Sequence, residues 1–246
     1  MLKKIIAYPL TILYYLTFGL LLVVFHPIFF ITHRLFGFNA LEKVVNILQF
    51  LLIKSLLILG TRVKFFNPHS IPIDKPLIIV SNHQSMYDIP PIIYNLQKHH
   101  PKFISKKELG KGIPSVSYNL QHGGSVLIDR KKTAESVKAI QTFAQKIAQK
   151  NWAAVIFPEG TRSKTGTVQL FRKKGLLTLF EEIPNALVVP LSINNSYKLL
   201  ENGNFPMGIG NTLYFKVHHP LPLPQPKDQP KFIEELEKIV KQGVTS

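Results

Sequence analysis

The chain of 246 residues is long enough for one α/β domain with an appendage, but too short for two full domains. It contains no cysteine, which excludes disulfides, thiolate metal sites and a cysteine acyl carrier. Lys and Arg number 30 against 14 Asp and Glu, and 46% of the residues are hydrophobic, so an anionic membrane surface fits the chain better than nucleic acid, for which we find no binding motif.

The first 60 residues form the appendage and predict two apolar helices. Residues 5–25 carry no charge and are long enough to cross a membrane, and residues 40–59 are strongly apolar after an amphipathic start. Two arrangements remain open: a transmembrane hairpin, or a helix pair embedded in one leaflet and broken at Pro9 or Pro27. We favour the embedded pair. Lys and Arg on both flanks place the rest of the chain on the cytoplasmic side in either case.

From residue 61 to residue 246 the pattern predicts one α/β domain, in which short β-like runs alternate with helical ones. A helix over residues 133–150 buries one apolar face, and a last helix covers residues 231–241. Between the last strand and that helix, the proline-rich residues 219–230 should run extended. The predicted strands cover residues 63–66, 77–81, 102–105, 125–129, 153–157, 186–193 and 212–217.

A possible base and its orienting carboxylate lie within one short stretch, Asn-His-Gln-Ser-Met-Tyr-Asp at residues 82–88, between a strand and a helix entrance. A regular helix would not put His83 and Asp88 on one face, so the pair meets only if the chain turns between them. Asp88 would then hold one imidazole nitrogen and leave the other to take a proton from an alcohol. The alternative is a helix N-cap at Asp88 and an ordinary packed histidine.

The second polar stretch, Phe-Pro-Glu-Gly-Thr-Arg-Ser at residues 157–163, ends another apolar strand. Ligand sites in α/β sheets lie at the carboxyl ends of strands, so Glu159, Gly160, Thr161 and Arg162 predict an anion pocket. In the alternative, Glu159 and Arg162 pair with each other in a polar turn.

Basic residues follow two further strands, with Lys106 in the cluster at residues 103–109 and Arg130 in the cluster at residues 126–132. If the four strand ends converge, a base lies beside three sources of positive charge; taken singly, each basic cluster is more typical of a solvated loop. The basic residues 172–174 either extend this rim or meet lipid headgroups.

Together these stretches resemble the glycerolipid acyltransferases, and within them the bacterial 1-acyl-glycerol-3-phosphate acyltransferases. His83 and Asp88 match the H-x-x-x-x-D block, residues 157–162 match F-P-E-G-T-R, and residues 106–109, 128–130 and 189–191 resemble the remaining blocks in order. The resemblance covers about residues 77–193. It departs from the family at Phe-Arg-Lys-Lys-Gly, residues 171–175, which has one residue more than the usual Phe-Lys-x-Gly, so no role is assigned there.

The resemblance implies a glycerol-3-phosphate acyltransferase-like fold: a mixed, mostly parallel sheet flanked by helices, after an N-terminal apolar helix pair. His83 is the expected base toward the 2-hydroxyl of lysophosphatidic acid, and Asp88 orients it. Residues Glu159, Gly160, Thr161 and Arg162, together with Lys106 and Arg130, are the expected acceptor ligands. The resemblance also implies direct transfer from acyl-CoA or acyl-carrier protein, without metal, cofactor or acyl-enzyme, on the cytoplasmic face of a bacterial inner membrane.

Several alternatives stay open at this point. The same chemistry could act on another lysophospholipid, a lyso-aminolipid or glycerol-3-phosphate, because sequence does not reveal the shape of the headgroup pocket. In a different class, the chain could be a non-catalytic basic protein of the membrane surface. We expect a backbone amide near His83 to stabilise the thioester oxyanion.

Overall fold

An eight-stranded, mostly parallel sheet runs through residues 2–129 and 131–244, the part of the chain described by a computed structural model. Its spatial order is β1-β7-β6-β2-β5-β3-β4, with β8 beside β6. Only β7 and β8 run antiparallel to their neighbour β6, so the predicted mixed sheet is confirmed. The strands are β1 Arg62–Phe66, β2 Leu77–Ser81, β3 Pro101–Lys106, β4 Val126–Ile128, β5 Ala153–Ile156, β6 Leu187–Asn194, β7 Thr212–Val217 and β8 Leu221–Pro222.

Burial follows the position of each strand in the sheet. The central β2 lies between β5 and β6 and is buried at every residue, as expected of a parallel strand covered on both faces. The outermost strand β1 alternates exposed and half-buried residues. The carboxyl ends of the four adjacent strands β2, β5, β3 and β4 therefore lie at one edge, which we call the catalytic edge.

Helices cover both faces of the sheet. One face packs against α1 and α2, in a core that joins Tyr14 and Leu48 to Ile79 and Leu191. The other face packs against α4, α5 and α6. Each fully buried Leu, Ile or Phe in these cores contributes about 1.5–3 kcal/mol. The helices are α1 Leu2–Ser55, α2 Ile89–Asn95, α3 Val116–His122, α4 Thr133–Lys150, α5 Lys173–Glu182 and α6 Gln229–Gln242.

Helix α1 continues through both prolines and changes direction at Gly37, so the predicted break at Pro9 or Pro27 is wrong. Gly37 has φ 76° and ψ −168°, a conformation that glycine adopts without the steric penalty of a Cβ. By length and composition alone, the helical stretch Lys3–Leu59 could cross a membrane.

The inward side of α1 contacts loops of the α/β domain along its whole length. Thr11 Oγ1 accepts from the amide of Met207 at 2.9 Å, and Ser115 Oγ donates to the carbonyl of Leu22 at 2.6 Å. Beyond Gly37, Glu42 forms an ion pair with the buried Lys102. Between Lys4 and Arg34 the outward side exposes apolar residues and no charge, namely Ile5, Ile12, Leu16, Leu20, Val23, Val24, Phe30 and Ile31.

The proline-rich segment behaves as predicted only in its first half. Leu221–Pro222 pair with β6 as β8, but α6 begins at Gln229, earlier than the predicted residue 231. Pro230 lies in the first turn of α6, where a missing amide hydrogen removes no intrahelical bond. Helices α3 and α5 were not predicted, although the spacing of Leu176, Leu179 and Phe180 carries a helical signal for α5.

Candidate active site

His83 leaves the carboxyl end of β2 and contacts Asp88 through a short turn. The chain forms a one-turn helix at Met86–Asp88, with Ser85 as its N-cap, and this turn brings Asp88 back toward His83. The distance from His83 Nδ1 to Asp88 Oδ2 is 2.8 Å. Asp88 is fully buried, whereas 14% of the His83 side chain is exposed. The structure thus brings together the predicted base and carboxylate, with the base reaching solvent.

The Asp88 carboxylate is held on both oxygens by neighbouring donors. Its Oδ2 also accepts from the amides of Gln84 at 2.7 Å and Ser85 at 3.0 Å. Its Oδ1 accepts from the hydroxyls of Ser196 and Ser85. The Ser85 amide bond is half of a capping box in which Ser85 is the N-cap, whereas the Asp88 side chain makes no cap bond to α2, so the alternative of an N-cap at Asp88 is wrong. A carboxylate fixed in this way holds the imidazole ring in one orientation.

The His83 ring is fixed from a second direction by Phe157. The two rings stack with centroids 4.1 Å apart and planes inclined by 13°. Because Nδ1 faces a carboxylate, the proton of the neutral ring is on Nδ1, and the lone pair is on Nε2, which accepts from Arg162. Arg162 Nε lies 3.4 Å from this Nε2. An exposed guanidinium therefore lies directly beside the atom that would accept a proton.

Glu159 is buried and holds the two loops of the site together. Its Oε1 accepts from the amide of His83 at 2.8 Å, and its Oε2 accepts from the amide of Gln169 at 3.2 Å. Burial raises the pKa of this carboxyl to about 7, although the two amide bonds act in the opposite direction. Glu159 makes no ion pair with Arg162, so the alternative of a mutual pair is wrong. Its predicted role as an acceptor ligand stays a prediction.

The turn after Glu159 presents the remaining predicted ligands of this stretch. Gly160 has φ 72°, and a Cβ built on it would lie 3.2 Å from the guanidinium carbon of Arg172. Thr161 and Arg162 are exposed. Ser163 donates its amide hydrogen to the carbonyl of His83 at 2.8 Å, which ties the turn to the base. The turn therefore offers an exposed hydroxyl and cation next to His83.

The two predicted basic ligands beyond this turn are placed differently. Lys106 is the exposed last residue of β3, at the catalytic edge and two strands away from β2. Arg130 lies outside the described residues, and Asp129 directly follows the neighbouring strand β4. The topology thus places the ends of all four predicted strands at one edge.

Three buried polar residues that the sequence analysis did not single out complete the site. Asn82 exchanges two hydrogen bonds with the backbone of Ile193, at 2.8 and 2.7 Å, and so extends the pairing of β2 with β6. Gln84 Oε1 accepts from the amide of Ser196 at 3.0 Å, and Ser196 in turn donates to Asp88. Polar residues directly after β6 were the available signal, because β6 ends at the same edge as β2.

The expected oxyanion donor is not a backbone amide of residues 83–85. His83 donates its amide hydrogen to Glu159, while Gln84 and Ser85 donate theirs to Asp88. All three are occupied by carboxylates, so that expectation is wrong for these residues.

A histidine–carboxylate pair at the carboxyl edge of a mixed α/β sheet, beside an exposed arginine, is typical of α/β enzymes that use an imidazole as a general base. The chain belongs to the Acyltransferase family, whose sequence pattern it matches over residues 62–194, more than half of its length.

Individual proteins that are similar to this chain also have names of acyltransferases. The solved structure of the 1-acyl-sn-glycerophosphate (LPA) acyltransferase PlsC from Thermotoga maritima superposes with a TM-score of 0.77 at 26% identity, covering 95% of this chain and 92% of that one. A 1-acyl-sn-glycerol-3-phosphate acyltransferase of Helicobacter pylori is 38% identical over 51% of this chain and 51% of its own length. The alpha enzyme of Ovis aries is 27% identical over 62% and 53%. The chain thus spans about half the length of these curated relatives.

Proposed function

We propose that the protein transfers an acyl chain from a thioester to the sn-2 hydroxyl of 1-acyl-glycerol-3-phosphate and so produces phosphatidic acid. The observation that carries the proposal is the 2.8 Å contact between His83 Nδ1 and Asp88 Oδ2, which leaves Nε2 facing the site. The names of the Thermotoga maritima and Helicobacter pylori relatives support the same acceptor. The proposal uses no metal, cofactor or acyl-enzyme.

In the proposed step, His83 Nε2 takes the hydroxyl proton while the acceptor oxygen forms a bond to the thioester carbon. The carbon–sulfur bond then breaks, and the departing thiolate recovers the proton from the imidazolium. Asp88 keeps the ring oriented and stabilises its positive charge. A positioned base of this kind contributes about 10²- to 10⁴-fold in rate. Holding both substrates in place contributes a further proximity effect.

The acceptor phosphate is proposed to bind at the cationic turn after β5. Arg162 lies 3.4 Å from the base, Thr161 adds an exposed hydroxyl, and the missing Cβ of Gly160 makes room for the guanidinium of Arg172 beside the turn. Lys106 extends this cationic rim at the end of β3, and Arg130, outside the described residues, stays a predicted ligand from the sequence. Glu159 holds the turn in place by accepting the amide hydrogens of His83 and Gln169.

We further propose that α1 lies in one leaflet and does not cross the membrane. The α/β domain contacts α1 on both sides of Gly37, through the loop residues Met207 and Ser115 before it and through Lys102 of β3 after it. A crossing helix would carry these loops into the hydrocarbon, where their free backbone groups lack partners. An apolar outward side with the body on its inner side fits a helix embedded parallel to the surface. The flanking basic residues favour the cytoplasmic face of a bacterial inner membrane.

The membrane proposal is tested by changing the outward side of α1 alone. Leu16, Leu20, Val23 and Val24 are exposed, so replacing all four by serine leaves the inner packing intact. We expect the variant to stay folded but to lose most of its flotation with vesicles containing anionic phospholipid. The matched control replaces four exposed residues of α4 by serine and should float like the wild type. Unchanged flotation of the α1 variant would exclude the embedding.

Acyl transfer is tested with the purified full chain, lysophosphatidic acid and both acyl-CoA and acyl-carrier protein of one chain length. We expect phosphatidic acid from the wild type and at least a hundredfold loss of turnover in His83→Ala. His219→Ala, which removes an exposed histidine away from the catalytic edge, should keep full turnover. Near-wild-type turnover in folded His83→Ala would remove His83 as the base. Product formed only from glycerol-3-phosphate or a larger lysophospholipid would change the acceptor.

A further inference from the structure

A groove with basic side chains opens next to the catalytic turn, on the face of the sheet opposite α1. It lies between residues 170–173 and the part of α6 from Glu234 to Lys241, and we call it the basic groove. Helix α5 begins beside it at Lys173, and α6 ends at the same edge, where Asn194 at the end of β6 donates to the carbonyl of Gly243 at 2.9 Å. Both helices therefore bring their ends to the edge that carries His83.

The groove is connected to the catalytic turn by direct contacts. The amide of Arg172 donates to the carbonyl of Pro158 at 2.9 Å, and its guanidinium packs over Gly160. The amide of Phe171 donates to Glu237 on α6 at 2.8 Å. A molecule lying in the groove would thus contact residues that touch the turn between Glu159 and Arg162.

The charges in the groove are positive and incompletely neutralised. Lys173 pairs with Glu234 at 2.7 Å and Lys241 pairs with Glu237 at 2.6 Å. Within the described residues, Arg172 and Lys238 form no ion pair, although Lys238 is close enough to Glu234 to help lower the pKa of that carboxyl. Leu170 lies in the same groove with 77% of its side chain exposed. The surface therefore combines an apolar contact with cations and carboxylates spread over two elements.

The location separates this surface from the lipid side of the protein. Helix α1, with its exposed apolar side, covers one face of the sheet, and α5 and α6 cover the other. A water-soluble acyl donor must approach the catalytic edge from the second face, because lipid occupies the first if α1 is embedded. The basic groove is where that face meets the catalytic turn.

We propose that the basic groove receives an acidic carrier protein that bears the acyl thioester; the inference rests on the proposed acyl transfer. A carrier surface with several carboxylates and an apolar contact complements unpaired Arg172 and Lys238 around exposed Leu170. The phosphates of a nucleotide-bearing thioester are compact and favour cations converging on one point. Here the cations lie on two elements and do not converge on one point, which favours the spread carboxylates of a carrier protein.

The test compares Lys238→Glu with Lys138→Glu, a matched exposed lysine on α4 outside the groove. Transfer to lysophosphatidic acid is measured from acyl-carrier protein and from acyl-CoA of the same chain length, on vesicles of fixed composition. We expect Lys238→Glu to raise KM for the acyl-carrier protein about five- to tenfold and to leave KM for acyl-CoA and for the acceptor unchanged. Leu170→Ser should act in the same direction, and Lys138→Glu should behave like the wild type.

Each other outcome overturns the inference. An equal rise in KM for both donors would place a nucleotide or the common thioester arm in the groove. A loss of vesicle binding in Lys238→Glu would assign the lysine to lipid headgroups. Transfer from acyl-CoA with none from acyl-carrier protein would remove the carrier while leaving the proposed acyl transfer intact. An absence of transfer from both donors would contradict the carrier site and the proposed acyl transfer together.

Discussion

The hydroxyl of Ser196 donates to Oδ1 of Asp88, the carboxylate oxygen that does not contact His83. Ser196 follows β6, whereas Asp88 follows β2, so the contact exists only because these strands are neighbours in the sheet. Gln84 holds the amide of Ser196 at 3.0 Å and completes a buried chain of contacts behind the base. Ser196 is therefore a positioning residue, which acts on the imidazole through Asp88.

Replacing Ser196 by alanine should lower kcat about tenfold and leave KM for the acceptor unchanged. The expected loss corresponds to about 1.4 kcal/mol, in the range of one hydrogen bond to a charged group. Ser192→Ala is the matched control, because Ser192 is equally buried but bonds to Val240 and His218 and not to the site. Similar thermal midpoints with different kcat values would separate positioning from folding. Equal kcat in both variants would exclude the role of Ser196.

Arg162 lies 3.4 Å from His83 Nε2 and, in the proposed function, also binds the acceptor phosphate. Arg162→Ala should raise KM for lysophosphatidic acid at least tenfold, because a charged hydrogen bond to phosphate is lost. The same change should uncover Nε2, so carbethoxylation of His83, followed by peptide mass spectrometry, should become faster. Lys164→Ala, a neighbouring exposed cation without a contact to His83, should change neither value. An unchanged KM would remove Arg162 from the phosphate site.

Local patterns in the sequence predicted much of this site. The residues that these patterns missed depend on contacts between distant segments. β2, β7 and α4 have their predicted bounds, since β2 is a continuous apolar run, β7 alternates buried and exposed residues, and α4 has an apolar stripe at helical spacing. His83 and Asp88 are five residues apart, so one turn decides whether they meet. Ser196 lies 108 residues from Asp88, and only the strand order makes them neighbours.

The sequence also did not show in which direction a side chain points. Glu159 follows a strand at the catalytic edge, which suggested a ligand, yet both its oxygens accept backbone amides. The sequence favoured a break at a proline over one at Gly37, because proline breaks helices strongly and an isolated glycine in a helical pattern is tolerated. In a helix that is apolar on all sides, periodicity gives no boundary between its two parts.

Gly160→Ala should reduce both stability and turnover. Alanine is strained at φ 72°, at about 1–2 kcal/mol, and its Cβ would press on Arg172 at 3.2 Å. Gly203→Ala is the matched control, because Gly203 has φ 84° but nothing within 4 Å of the added Cβ. We expect similar losses in thermal midpoint from both variants and a loss of kcat/KM only from Gly160→Ala. A fully active Gly160→Ala would show that turnover does not depend on the close approach of Arg172 to Gly160.

Glu159 should make stability fall as pH rises toward neutrality. Its carboxyl pKa, ordinarily 4.5, is raised by burial to about 7, so the folded protein binds this proton more tightly than the unfolded chain. The stabilisation is complete below pH 4.5 and is lost as pH rises through about 7. Thermal midpoints between pH 5 and 8 should therefore decrease in the wild type relative to Glu159→Gln. Glu108→Gln, at an exposed position, should track the wild type; parallel curves for Glu159→Gln would contradict the assignment.

The ion pair between Glu42 and Lys102 joins the part of α1 after Gly37 to the amino-terminal end of β3. Lys102 has 6% of its side chain exposed, and its Nζ also lies 4.7 Å from the ring centroid of Trp152. Burial lowers the pKa of this amino group, and Glu42 opposes that effect. Glu42→Ala should destabilise the protein by about 3–5 kcal/mol, because it leaves a buried charge without its partner.

The double variant Glu42→Leu/Lys102→Met separates the charge from the packing. Removing both partners leaves no buried unpaired charge, because His100, the second partner of Glu42, is 44% exposed, and it keeps the apolar volume around Trp152, so most of the lost stability should return. Denaturant unfolding in detergent micelles gives the free energies for the single and double variants. Turnover should follow stability only, since the pair lies at the end of the sheet opposite His83. A double variant as unstable as Glu42→Ala would mean that packing, and not the unpaired lysine, determines the loss.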